Sequence, residues 1–352
     1  KKKKEKKILY QLIFSAFLLF SNAYLVKANS DILSQDSTGK YCINTEQDYY
    51  NFIENIQNYN NKTVILCNDI DISDVPEATS SFGGILNGKG HTITYASKEA
   101  KENIAVFPFR INDNGIVENI NVQIDESYAY NSETDEFQTV FSRCDGIAKG
   151  ITIKGNVTCI SDDEDTDVYI GAIEGNGTLM DSSIAITYDL QSEKTIEEIA
   201  DDIVDNDLSF EFCQLGTINT GITYQNCIGY GQYSEAIKSL ADELEPKIKD
   251  NTWGYLCVSF TRKSFFSTSA SATNCYYDKE NMPDIKIMSE YITNRDNNKE
   301  FPNYADFGKT TSEMKNQGTY EGFDFNKKWT ISPEDNNGYP YYNLQTEEIT
   351  LK

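Results

Sequence analysis

The sequence predicts an all-β chain wound as a parallel β-helix. Three observations carry that prediction. A glycine-led phrase recurs: Gly115-Ile-Val-Glu-Asn-Ile-Asn-Val122, Gly146-Ile-Ala-Lys-Gly-Ile-Thr-Ile153, Gly177-Thr-Leu-Met-Asp-Ser-Ser-Ile184 and Gly221-Ile-Thr-Tyr-Gln-Asn-Cys-Ile228, with glycines 31, 31 and 44 residues apart. Self-similarity at such a period means stacked supersecondary units that must share a core with their neighbours. Within each phrase a turn residue precedes alternating apolar positions ending in Val or Ile, which reads as a short strand after a turn. The third observation is composition. With 39% hydrophobic residues, 23 Tyr, 18 Phe and only 7 Pro in 352 residues, the chain has the aromatic content that disordered segments lack.

Taken in order, residues 1–28 read as a secretory signal. Lys1 to Lys7 are a basic start, Ile8 to Phe20 an apolar run, and Val26-Lys27-Ala28 a small-residue cleavage site, with Ser21-Asn22-Ala23 as a second one. An uncleaved anchor is the other reading of the same segment. Its removal takes seven Lys and one Glu and moves the formal charge from −24 to −30. A chain so acidic repels nucleic acid and anionic lipid, so neither nucleic acid nor, after cleavage, membrane is an expected partner. The expected location is extracellular or cell-surface.

Residues 29–40 read as a linker and 41–63 as an N-terminal helical cap. Tyr49, Phe52, Ile53 and Ile56 share one helical face, and Thr45 with Asp48 forms a capping box. A solenoid needs such a cover because an open end exposes strand edges. Residues 64–275 carry the repeats. Two amphipathic helical insertions interrupt them near 194–207 and 234–245. The first opens on a Thr195/Glu198 capping box and has Ile196, Ile199, Ala200 and Ile203 on one face. The second aligns Ile237, Leu240, Ala241 and Leu244 and ends near Pro246. The insertions are expected outside the repeats, covering a sheet edge or meeting a partner. Residues 276–352 read as an aromatic C-terminal cap, with 281–309 as loop.

The eight cysteines leave two readings open. Cys144/Cys159 and Cys213/Cys227 stand close enough to close small loops, as export allows. Alternatively they pack as small apolar residues, with Cys227 and Cys257, 30 residues apart, in an internal stack. No pair has CxxC spacing and there is one histidine, which argues against a zinc site.

Two stretches carry a family resemblance. Asn68-Asp-Ile-Asp-Ile-Ser73 followed by Phe82-Gly-Gly-Ile-Leu-Asn-Gly-Lys-Gly-His-Thr-Ile-Thr-Tyr95 resembles the opening of the GLUG-type repeat proteins, whose text runs close to DIDLSG…FxGxLDGNGHTI. Asn274-Cys-Tyr-Tyr-Asp-Lys-Glu280, Thr310-Thr-Ser-Glu-Met314, Phe323-Asp-Phe325, Trp329 and Asn337-Gly-Tyr-Pro-Tyr341 resemble that family's terminal block. The resemblance implies a right-handed parallel β-helix, secreted or cell-surface, with an adhesin-like role. The expectation is therefore an all-β, right-handed parallel β-helix (solenoid) with an N-terminal helical cap and two helical insertions. It is a monomeric binding module for an extracellular glycan or a host or matrix protein. A polysaccharide lyase or hydrolase acting on an acidic glycan, and a structural segment of an envelope protein, are the alternatives.

Catalytic signals are sparse. His91 sits in a tight Gly-Lys-Gly-His turn and reads as structural rather than as a base. Arg110 and Arg143 stand isolated in sequence, with nothing near them to suggest contact with a sugar. One metal-like pattern exists: Asp163, Asp165, Asp167 and Glu174 imitate positions 1, 3, 5 and 12 of a calcium loop, although Val168 stands where glycine belongs. No cofactor other than this calcium is expected. Asn61, Asn156 and Asn176 open glycosylation sequons.

Overall fold

The computed structural model describes residues 33–73, 75–76, 78–96, 105–130, 136–161, 167–216, 221–262, 270–296, 301 and 304–343; at 126–130, 136–139, 295 and 296 it describes the backbone only. The expected leader lies outside these residues. No helix among the described residues is long and apolar enough to cross a membrane.

In chain order the strands are β1 (Tyr41–Ile43), β2 (Thr63–Leu66), β3 (Ile70–Ile72), β4 (Ile85–Asn87), β5 (Thr92–Tyr95), β6 (Phe107–Ile111), β7 (Ile116–Tyr130), β8 (Glu136–Cys144), β9 (Ile147–Ile160), β10 (Val168–Ile173) and β11 (Thr178–Gln191). They continue as β12 (Ser209–Cys213), β13 (Thr223–Gly229), β14 (Gln232–Tyr233), β15 (Tyr255–Ser259), β16 (Ser271–Thr273), β17 (Tyr276–Asp278), β18 (Ile285–Ile287), β19 (Gly308–Lys309), β20 (Trp329–Thr330) and β21 (Tyr341–Tyr342). The helices are α1 (Glu46–Glu54), α2 (Ile196–Asp205), α3 (Glu235–Leu244), α4 (Glu290–Asp296) and α5 (Thr311–Met314).

The protein is mostly β. Nine parallel strands form the spine of the larger sheet, in the order β1-β2-β4-β7-β9-β11-β13-β17-β19. A second sheet runs β6-β8-β10-β12-β15-β18, and only its last pair is antiparallel. From β6 to β13 the chain visits the two sheets alternately, and the main core lies between them.

Register explains the recurring glycines. Ile85, Ile116, Ile147 and Thr178 are successive partners across the larger sheet, so Gly84, Gly115, Gly146 and Gly177 stack one above another. A Cβ on Gly146 would stand 2.3 Å from the Gly115 oxygen, and one on Gly177 2.2 Å from the Gly146 oxygen. Only glycine lets the turns approach so closely. Inward from each glycine, Leu86, Val117, Ala148 and Leu179 form one buried column, and Ile93, Val122, Ile153 and Ile184 another. Each large aliphatic side chain so buried contributes roughly 1.5–3 kcal/mol, which a single repeat could not realise alone.

The fourth phrase is out of register. Thr223 pairs with Thr178, so Ile222, not Gly221, stands opposite Gly177, and Ile184 faces Gly229 instead of Ile228. A one-residue slip turns a side chain to the other face of a strand. Ile228 accordingly leaves the main core and packs with Met314, Tyr320, Phe323, Trp329 and Tyr339 in a separate cluster.

The N-terminal helix packs on the start of the core. Phe52 packs on Phe82 and Phe109 at 5.4 and 5.8 Å, and the Tyr49 hydroxyl donates to the Val106 carbonyl at 2.7 Å. Its capping is displaced by one residue: Thr45 Oγ1 accepts from Asp48 N, but Asp48 Oδ2 accepts from Asn44 N. The segment read as cap also supplies β1, and the stretch read as linker is partly built in, with Leu33 buried and its N–H on the Tyr59 hydroxyl. Both insertions are helical, with the Thr195/Glu198 capping box formed on α2 and Ser234 capping α3. They pack on one another, bury Ile199, Ala200, Ile203, Ile237, Leu240, Ala241 and Leu244 into the main core, and are linked by Lys247 to Asp201 at 2.7 Å.

The C-terminal reading needs correction. The larger sheet continues beyond residue 275 through β17 and β19. Phe301, Tyr304 and Phe307, in the stretch read as loop, belong to the main core. The aromatic block after residue 310 folds back along the outer face of the larger sheet, where Tyr230 stacks on Tyr339 at 4.5 Å.

The cysteines fall differently from either loop-closing pair. Cys42 and Cys67 form a disulfide between β1 and the residue after β2. Cys144, Cys159, Cys213, Cys227, Cys257 and Cys275 are buried thiols. Cys227 stacks with Cys275, its neighbour in register, whereas Cys257 lies in the second sheet beside Glu211.

Candidate functional site

The turn that ends β4 and the hairpin of β20 and β21 enclose a cleft of about 290 Å³ lined by Asn87, Lys89, Asn119, Lys327, Lys328, Tyr342 and Asn343. One wall is made by stacked turns. Asn87 Oδ1 accepts from Lys89 N at 2.8 Å, closing an Asx turn that holds Lys89 at φ 54°. Asn119 occupies the same left-handed region, also at φ 54°, and its carbonyl accepts from Gly90 N at 2.9 Å. Across the sheet Asn87, Glu118 and Lys149 stand in register. The Glu118 carboxylate bridges them, accepting from Asn87 Nδ2 at 2.6 Å and meeting Lys149 Nζ at 2.8 Å.

The other wall is the back-folded block. The Asp324 carbonyl collects the N–H groups of Lys328 and Trp329, β20 pairs antiparallel with β21, and Asn343 N donates to the Lys328 carbonyl at 2.6 Å. Trp329 is buried edge-on against Tyr342 at 5.7 Å. Lys328 Nζ reaches Asp181 at 2.8 Å, and that hydrogen bond raises the lysine's pKa above its ordinary value. The amine stays charged throughout the neutral range.

Three lysines thus line a concavity together with three asparagine amides and Tyr342. Beside it Glu118 is paired with Lys149, and Lys328 with Asp181, with the Asp324 charge also acting on Lys328. On a chain of formal charge −24 this is a local reversal of sign. Amines and amide N–H groups in a small cleft suit a carboxylate, sulfate or phosphate group.

The residues read as a calcium loop do not come together. Asp163 and Asp165 lie outside the described residues. Asp167 and Glu174 stand just before and just after β10, roughly 20 Å apart along an extended backbone, too far to share one ion. Asp167 accepts from Ser209 N and the Tyr169 hydroxyl at 2.7 and 2.9 Å, and Glu174 meets Arg143 at 3.3 Å. The arginines that look isolated in sequence are partners in register across β6 and β8. Their Nε atoms meet Asp145 Oδ2 at 2.6 and 3.0 Å. Burial alone would raise the Asp145 pKa, but the hydrogen bonds from Arg143 and Asn176 N, with the charges of Arg143 and Arg110, hold it below its ordinary value. His91 closes its turn, its N–H on the Gly88 carbonyl and its Nδ1 3.0 Å from Asp69.

Asn87 and Lys89 stand in the Asn-Gly and Gly-Lys-Gly-His turn that the sequence shows, whereas Asn119 reads there as a strand position, and their partners are more than two hundred residues away. No local signal announces that the C-terminal hairpin returns to them. No family model, curated protein or solved structure matches this chain.

Proposed function

We propose that the chain is a right-handed parallel β-helix of the GLUG-repeat kind, exported or held at the cell surface, that binds an acidic extracellular glycan without turning it over. The lysine- and asparagine-lined cleft carries this reading. A uronate carboxylate or sulfate entering it exchanges water for charged amine donors, while the acidic remainder of the surface keeps non-specific polyanions away. The alternation of strands between two sheets, the stacked glycines and the helix over the first repeat support the β-helix. The disulfide and the basic-then-apolar start support export.

The test is retention of the full chain on immobilised polygalacturonate and hyaluronan at low and raised salt, with soluble products assayed separately. Retention that weakens with salt, releases no product and is lost in a Lys89→Ala/Lys327→Ala double variant of unchanged circular dichroism is the expected result. Product release would replace this reading with a lyase or hydrolase, and retention indifferent to the double variant would remove the cleft from it.

A further inference from the structure

We propose a second binding surface, in which Trp253 and Tyr291 form a stacking platform for a neutral saccharide ring. These are the only large hydrophobic side chains strongly exposed among the described residues, at 47% and 52%. They come from distant parts of the chain, the turn before β15 and the first turn of α4, and their rings meet with centroids 4.7 Å apart and planes at 60°. Two aromatic rings held together in solvent cost hydration that neither recovers in the core. Paired exposed aromatics of this kind mark interaction sites.

The platform is built on rigid supports. Trp253 N donates to Asp207 Oδ1 at 3.2 Å. Gly254 lies so close to the end of α2 that a Cβ there would be 2.0 Å from the Ile203 oxygen and 2.4 Å from the Leu208 oxygen. On the other side Ile292 is buried against Tyr255 and Cys257, which fixes the helix that presents Tyr291. The two backbones that carry the rings are therefore held independently, and a ligand meets a surface already formed.

Geometry and charge choose the ligand. An aromatic cage for a quaternary ammonium needs ring faces standing apart around the cation, whereas these rings pack against each other and leave no room between them. What they offer is exposed aromatic surface, which suits the flat C–H face of a pyranose. The rim supplies acceptors: Asp207, Asp250 and Glu290 are exposed, with Lys249 as the lysine of the same turn. Carboxylates take hydrogen bonds from sugar hydroxyls and turn away a sugar bearing its own negative charge. The platform thus favours the class of saccharide that the lysine-lined cleft does not, and it stands whether or not that cleft binds anything.

Trp253 is itself the reporter, because the other tryptophan, Trp329, is buried. The full chain would be titrated with cellohexaose, mannohexaose, maltohexaose and a hexamer of galacturonate while tryptophan emission is followed. The expected result is a saturable blue shift with at least one neutral hexamer and none with the galacturonate. Trp253→Ala should abolish the shift. Tyr291→Ala should weaken binding by about tenfold and Tyr291→Phe by less, since the ring and not the hydroxyl makes the contact. Circular dichroism of the variants would show the fold intact. No shift with any neutral hexamer, an equal shift with galacturonate, or a shift that persists in Trp253→Ala would overturn the proposal. So would a response confined to a proline- and aromatic-rich peptide run in parallel, which would make the platform a protein-docking surface.

Discussion

Tyr339 donates its phenolic hydrogen to Asp278 at 2.5 Å, joining the back-folded block to the end of β17. Asp278 is fully buried, and its carboxylate also accepts from Thr311 Oγ1 at 2.7 Å, Asn281 Nδ2 at 2.9 Å and Glu280 N at 2.9 Å. Asp278→Ala strands several donors at once and should destabilise the protein by about 3–5 kcal/mol. Tyr339→Phe removes one charge-assisted bond and should cost about 1.5–3 kcal/mol. Urea unfolding gives both values, and limited proteolysis of the alanine variant should cut first after residue 310. Equal stability of the three proteins would mean that this carboxylate does not fasten the block.

Gly150 sits at φ 61° in the column of left-handed residues that includes Asn119, Asp181, Asn226 and Asn274. A Cβ there would stand 2.7 Å from Tyr342 Cε1. Gly150→Ala combines backbone strain with displacement of the ring and should cost about 1–3 kcal/mol. It should also weaken polygalacturonate retention, because Tyr342 lines the cleft. A variant with unchanged melting temperature and unchanged retention would show that the hairpin does not rest on this turn.

The disulfide closes a separation of 25 residues. By the loop-entropy account the Cys42→Ser/Cys67→Ser variant should lose about 3 kcal/mol. The six other cysteines are buried, and burial first, with the neighbouring Asp145, pushes the Cys144 thiol up to about 12. Burial likewise takes Cys257 to about 12 against the pull of Arg262. The native protein should therefore be inert to a thiol-reactive dye at pH 8, and all six should label after unfolding. Rapid labelling of the native chain would contradict their burial.

Asp145 sets a pH dependence. Its folded-state pKa is depressed, so its contribution to stability is complete above the ordinary carboxylate value of 3.8 and is lost as pH falls through the lower folded value. The urea midpoint should fall on acidification below about pH 4. Asp145→Asn should be less stable at neutral pH and should flatten that part of the acid slope. A parallel slope in both proteins would assign the acid sensitivity to other carboxylates.

The large parallel sheet was legible because its cause is local. A glycine is needed wherever one turn lies on the next, and alternating β-branched residues follow it at a fixed distance. The helices of both insertions were legible for the same reason, since capping box and apolar face lie within one segment. Gly221 misled because glycine and alternation do not reveal register; only the partner strand shows that Thr223, not Ile222, faces Thr178. Arg110 and Arg143 misled in the opposite sense: 33 residues apart in the chain, they are neighbours across a sheet. The cleft was beyond local reading, for Lys327 and Asn343 reach Asn87 only through the return of the C-terminal block.

That return changes how the molecule comes apart. In a stack where each unit touches only the next, unfolding can begin at one end and proceed unit by unit. Here one late segment holds Asp278, Tyr230, Asp181 and the turn at Lys89 together, spanning the larger sheet from β4 to β17. Separating β7, β9, β11 or β17 from its neighbours must disturb this clasp, so these strands should melt together. During synthesis the early units stay unlatched until the last residues of the clasp have left the ribosome.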